Sequence, residues 1–170
     1  MLRAASVVLL SSCLAYGQHD AQAGGHQTQD HQTQDHHNAV NEHGDKVMGF
    51  SHEKTTHHFV LTQEGGLIEA RVNDFKDAAS LGEIRDHFQH IVRMFADGNF
   101  NAPMLVHSQD VPGTAVMTRL KTELHWELQE IPRGARITIT ADNKDALDAV
   151  HEFLRFQIAD HQTGDCTAIR

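Results

Sequence analysis

Histidine is the residue type through which this chain could do chemistry. The 170 residues hold 15 of them, and neutral imidazole is the commonest protein ligand for transition metals. Seven lie in a polar N-terminal stretch: His19, His26, His31, His36, His37, His43 and His52. That stretch contains a tandem pentapeptide, His26 to Asp30 and His31 to Asp35, followed by His36 and His37. Each unit joins an imidazole to a carboxylate, a pair that suits Zn²⁺, Cu²⁺ and Ni²⁺. A flexible segment must be ordered when it binds, which weakens any fixed site. His26, His31, His36 and His37 are therefore expected to form a weak metal sink rather than a catalytic centre.

The other eight histidines fall in a region with apolar periodicity. On a helix expected from about Ser80 to Ala96, the stripe Ile84, Phe88, Ile91 and Phe95 has His87, His90 and Met94 along one edge. Their spacing makes them near neighbours on that edge, and two imidazoles with a thioether could ligate copper. His57 and His58 open a strand, where adjacent side chains point to opposite faces. One of the pair is expected in a site, not both. His107 follows the apolar run Met104 to Val106 in a long connection, a place where functional residues are often held. His161 opens the sequence His161-Gln162-Thr163-Gly164-Asp165, close to the N-terminal pentapeptide. The candidate metal ligands are thus His57, His58, His87, His90, Met94, His107 and His161. His151 flanks a helix stripe as a half-buried residue, and His125 faces outward from a strand. There is no His-Glu-x-x-His, Cys-x-x-Cys, Gly-rich phosphate loop or Gly-x-Ser-x-Gly elbow to direct the reading elsewhere.

The elements that must position these residues read as follows. His57 to Gln63 and Leu67 to Val72 form a hairpin turning at Glu64 to Gly66. The first helix is expected to open on a Ser80–Glu83 capping box. Asn99 to Thr118 is a long connection with a strand-like piece at Met104 to His107. A long strand runs from Leu120 to Glu130, a turn follows at Pro132 to Gly134, and Arg136 to Ala141 is the fourth strand. A second helix starts after Asp142 as N-cap and ends near Asp160. The order is ββα, connection, ββα. It predicts an α+β fold of duplicated ββα halves, with a four-stranded, mainly antiparallel sheet and two helices on one face. In the proposed duplication, His58-Phe59-x-Leu61 aligns with His125-Trp126-x-Leu128.

The N-terminus reads as an export signal. Arg3 precedes a short apolar run, and Ala15-Tyr16-Gly17 offers a cleavage site, with Ala21-Gln22-Ala23 as a later one. Leu10-Ser11-Ser12-Cys13 resembles a lipobox, which would make Cys13 a lipid anchor. The expected organisation is a signal over 1–17, a disordered His-rich tail over 18–47 and one α+β domain over 48–170. No transmembrane segment is expected in the mature chain. Cleavage would leave Cys166 as a free thiol near a frayed end, an intermolecular bridge or a soft metal ligand. The formal charge of −9 argues against nucleic acid, which needs a basic surface, and favours attraction of cations.

Met48-Gly49-Phe50, Lys54-Thr55-Thr56-His57-His58-Phe59, Phe153 to Ile158 and His161 to Asp165 together resemble a group of small exported or soluble bacterial domains of uncharacterised activity. The resemblance spans Met48 to Asp165. It implies one small domain and carries over no site residues.

The reading that follows is an exported protein, periplasmic or extracellular, that binds copper or zinc for capture, storage or delivery. Two other classes stay open: a small secreted enzyme using a metal or histidine acid/base chemistry, and a non-enzymatic interaction module whose histidines are structural.

Overall fold

Alternating apolar residues from Thr55 onward build the sheet of the computed structural model, which describes residues 27–170. The strands are β1 (Thr55–Thr62), β2 (Gly65–Val72), β3 (Leu124–Ile131) and β4 (Gly134–Ala141). Their order is β1-β2-β4-β3, with every neighbouring pair antiparallel. Phe59, Leu61, Ile68, Ala70, Val72, Ile137 and Ile139 turn one face of the sheet into the core. Helices α2 (Ala78–Ala96) and α5 (Lys144–Asp160) pack on that face. Their buried stripes, Ile84, Phe88, Ile91 and Phe95 on α2 and Val150, Phe153, Leu154 and Ile158 on α5, recur at helical spacing. The expected α+β class is what the chain adopts. The approach of α5 is close: a Cβ on Gly66 of β2 would lie 2.2 Å from Leu154 Cδ1.

The opposite sheet face is polar. Burial alone would raise the Glu69 carboxyl, but hydrogen bonds from Arg71 and Arg136 outweigh it and hold the group below the usual carboxylate range. The C-terminal segment covers the free edge of β1. Asp165 accepts the Phe59 N–H at 2.9 Å, and the Arg170 N–H donates to Leu61 O at 3.0 Å. This covering blunts an edge that would otherwise invite pairing.

The element order runs β1, β2, α2 and later β3, β4, α5. Thr62 and Gly65 flank the first turn as Ile131 and Gly134 flank the second, and Ile68 pairs with Ile137 at the sheet centre. By these hairpins His57 occupies the place of Trp126, so the expected His58/His125 alignment is out of step.

Several expectations are corrected. The segment expected to be disordered forms α1 (Gln27–Met48) over most of its length. Its composition hid a narrow stripe: Val40 is 1% exposed, Gly44 is buried, and Met48 packs against the core. The stripe seats on α3 (Asn101–His107), and a Cβ on Gly44 would be 3.9 Å from Val106. A polar helix of this kind is held by its packing rather than by propensity. Residues 18–26, with His19 and His26, and the export-signal region lie outside the described residues, as does the His31 side chain.

The connection after α2 holds α3 and α4 (Thr114–Arg119), so Met104 to His107 is helical rather than strand-like. Short apolar runs do not distinguish the two, and Pro103 sits in the first turn of a helix, where its missing N–H costs nothing. The cap of α2 is Asp77, whose carboxylate accepts from the Ser80 N–H at 3.0 Å and the Ser80 hydroxyl at 2.9 Å. Asn143, not Asp142, caps α5 by accepting from the Ala146 N–H at 3.0 Å. A 3-10 turn at Lys121–Glu123 delays β3 to Leu124. The first hairpin turns at Gln63 and Glu64, because both glycines that follow belong to β2. Cys166 is partly buried and is not a free thiol. Among the described residues no helix is long and apolar enough to cross a membrane.

Candidate functional site

Four elements deliver imidazoles to one end of the core. β1 alternation points His57 to the helix side, in the row of Ala70. α2 contributes His87, α3 ends on His107, and α5 stops at His161, where the chain reverses through Gln162 at φ 52. α1 and Phe50 close over them. The His57 ring stacks on Phe50 at 5.6 Å and on His161 at 6.0 Å, with interplanar angles of 19° and 16°. His87 meets the Phe50 ring edge-on at 5.6 Å. His107 meets His161 edge-on at 4.9 Å.

Two cavities meet at this cluster. The inner one, about 80 Å³, has apolar walls that include Phe59, Ile91, Phe95 and Phe153, with His57, His87, His107 and His161 among its lining. The outer one, about 290 Å³, is lined by His37, Asn41, His52, Thr55 and Thr163 among others. Met48, His57 and His161 line both. They form the wall between a polar vestibule and an apolar interior.

Burial sets the charge of the wall. Burial, then repulsion from His58, lowers His57 to about 4. Burial, then His57 and His90, lowers His87 to about 4. Burial, then His57 and His107, lowers His161 to about 3. Taking an imidazolium out of water is costly, and neighbouring imidazoles add to that cost. At neutral pH these three rings are uncharged and each carries a nitrogen lone pair. All three rings are half-buried.

His107 is different. It is 3% exposed; its Nδ1 donates to Asp160 Oδ2, and its Nε2 lies 3.1 Å from Gln157 Oε1. Asp160 also accepts from His36 Nε2 of α1 at 2.8 Å. Burial alone would raise Asp160, but the hydrogen bonds with His36 and His107 outweigh it and lower its pKa. Asp160 thereby ties α1, α3 and α5 together beside the cavity. Gln157 Nε2, buried on the cavity wall, has no partner.

The candidates predicted from sequence separate clearly. His57, His87, His107 and His161 come together. His58 turns to the other side of β1, where its Nδ1 lies 3.1 Å from Asp165 Oδ1. The expected His87–His90–Met94 ridge does not act as a unit. Only His87 reaches the cavity, His90 is exposed, and Met94 packs against the core. His107 has both ring nitrogens engaged and serves as a packing support for His161 rather than an open ligand. Of the N-terminal histidines, His36 holds Asp160 and His37 lines the vestibule. Among the described residues, no three His, Cys, Asp or Glu side chains converge on a point suited to a metal ion.

His151 and His125 keep ordinary roles. His151 is buried, with Nε2 at 2.9 Å from Thr62 O and 3.1 Å from Gly65 O, securing the first hairpin to α5. His125 pairs with Asp142 at the surface at 2.8 Å. Sequence reasoning missed Met48, Phe50, Gln157 and Asp160. Gln157 and His161 are four apart, the spacing of one helix face, which is the signal that could have joined them.

Comparison with protein-family models, with curated proteins and with solved structures finds no match for this chain.

Proposed function

We propose that this is an exported, non-enzymatic protein that binds a copper or zinc ion at the wall between the two cavities, for capture, storage or delivery. One observation carries the reading: the half-buried rings of His57, His87 and His161 are held uncharged around a shared cavity. A metal ion is the partner that neutral imidazole serves best, and a ring already free of its second proton meets no proton competition near pH 7. Export rests on the N-terminal pattern of Arg3, the apolar run and the small residues before Gln18. The N-terminal His/Asp repeats would supply a weaker, outer site.

The test is a metal titration of the full chain with Cu⁺, Cu²⁺ and Zn²⁺ by competition against chromophoric chelators. The same titration is made on a His57→Ala/His161→Ala variant and on one with His26, His31, His36 and His37 replaced by Ala. The account expects a tight single equivalent that survives the second set of changes and disappears with the first. Metal binding lost only with the second set would sink the reading.

A further inference from the structure

We propose that the inner cavity is a binding site for a small uncharged alcohol, its hydroxyl held by the Gln157 amide and its short alkyl body by the apolar walls. This occupancy is independent of the metal-binding reading above.

Gln157 is the group that calls for a ligand. It is 4% exposed and stands on the buried stripe of α5, midway between Phe153 and His161, so the three lie along one helix face and all line the cavity. One end of its amide meets His107, with Oε1 3.1 Å from the ring Nε2. The other end, Nε2, is buried and has no partner among the described residues. Turning the amide over would exchange the two atoms and leave Oε1 unpaired instead. An unpaired buried amide atom is costly, and an apolar side chain at this position would not carry that cost. A hydroxyl both donates and accepts, so it satisfies the amide in either orientation.

The remaining walls select an uncharged, apolar body. Phe59, Phe88, Ile91, Phe95, Ile137 and Phe153 face the cavity. No Asp, Glu, Lys or Arg lines either cavity, so a carboxylate or an ammonium ion would enter without a counter-charge. His57, His87 and His161, kept neutral by burial, do not supply one.

Volume sets the size. The inner cavity of about 80 Å³ has room for roughly three groups the size of a water, at about 30 Å³ each. It is about half of the apolar cavity of roughly 150 Å³ that takes benzene. An alcohol of about two or three carbons fits, and an aromatic ring does not. The polar outer cavity, lined by His37, Asn41, Thr55 and Thr163 among others, is the route in. Met48, unbranched and flexible, stands where the two cavities adjoin and is the side chain that can give way.

The experiment uses the full chain with metal removed by a chelator. Ethanol, 1-propanol, 1-hexanol, propionate and propylammonium are titrated while NMR follows the methyl groups of Met48, Ile91 and Ile137 and the side-chain amide of Gln157. Xenon under pressure serves as a purely apolar probe of the same space. The parent is compared with Gln157→Leu and with Ala102→Leu, which fills the cavity from α3. Thermal unfolding identifies any variant that fails to fold, and xenon binding by Gln157→Leu shows that its cavity persists. Saturable shifts at these groups are expected with 1-propanol, tighter than with ethanol or 1-hexanol and at least about tenfold tighter than with either ion. Gln157→Leu should weaken 1-propanol by about threefold to tenfold and leave xenon unchanged, and Ala102→Leu should abolish both. The proposal is overturned if 1-propanol gives no saturable shifts, if propionate binds as tightly, or if Gln157→Leu retains xenon and the full 1-propanol affinity. No arm contains metal, so none of these results decides the metal-binding reading, which has its own titration.

Discussion

Acid should unfold this protein by protonating the rings it keeps neutral. His57 and His87 titrate at about 4 and His161 at about 3 in the folded chain, whereas an exposed histidine titrates near 6.5. Between about pH 6.5 and pH 4 the unfolded chain therefore binds more protons than the folded one. Stability must rise with pH across that window and fall as pH is lowered through it. At pH 5 each such ring costs about 2 kcal/mol. The three rings repel one another, so their sum of about 6 kcal/mol is an upper bound, set against a total stability of roughly 5–15 kcal/mol for an ordinary domain. The assay is denaturant unfolding at pH 7.5, 6.5, 5.5 and 5.0, followed through the single tryptophan, Trp126, which packs against Phe95 and Phe100. Midpoints should fall steadily with pH, and His161→Gln, which cannot titrate, should flatten the slope by about a third. Midpoints that stay level or rise between pH 7.5 and pH 5 would refute the claim that these rings are held neutral by burial.

Three further outcomes are expected. Val40→Asp should cost about 2–3 kcal/mol or more by placing a charge where α1 meets α3, and limited proteolysis should then cut within α1 while the sheet stays protected. Gly113→Ala should lower the melting temperature, because Gly113 has φ +81 and a Cβ there would lie 2.2 Å from Ala149 O in α5; the cost should exceed about 1 kcal/mol. Asp160→Asn should weaken metal retention by about tenfold although Asp160 is no ligand, since it releases the His107 ring that supports His161; a variant with unchanged affinity would remove His107 from the site's support.

The sheet and the two large helices were legible because their signals are strong and local. Ile84, Phe88, Ile91 and Phe95 could only be one helix face, and the alternation around Phe59 and Ile137 could only be half-buried strands. The direction of His57, the ordinary role of His151 and the exposure of His125 followed from the same periodicities. What was not legible depended on contacts distant in sequence. Val40, Gly44 and Met48 make so sparse a stripe that α1 was hidden by its histidines, glutamines and aspartates, and its partner Val106 lies in another helix. His107 looked like an open ligand because nothing in the sequence placed Asp160 and Gln157 on its two nitrogens. His90 and Met94 looked like partners of His87, but the cavity needed the Phe50 ring and the end of α5, both far along the chain, to define which edge of α2 it would meet.

The most direct test of the central claim is to determine the structure of the full chain loaded with one equivalent of copper, collecting anomalous scattering at the copper edge. The account predicts a single strong peak in the folded domain, at the wall that His57 and His161 form between the two cavities. A peak found only along the N-terminal histidines, or none in the folded domain, would contradict it.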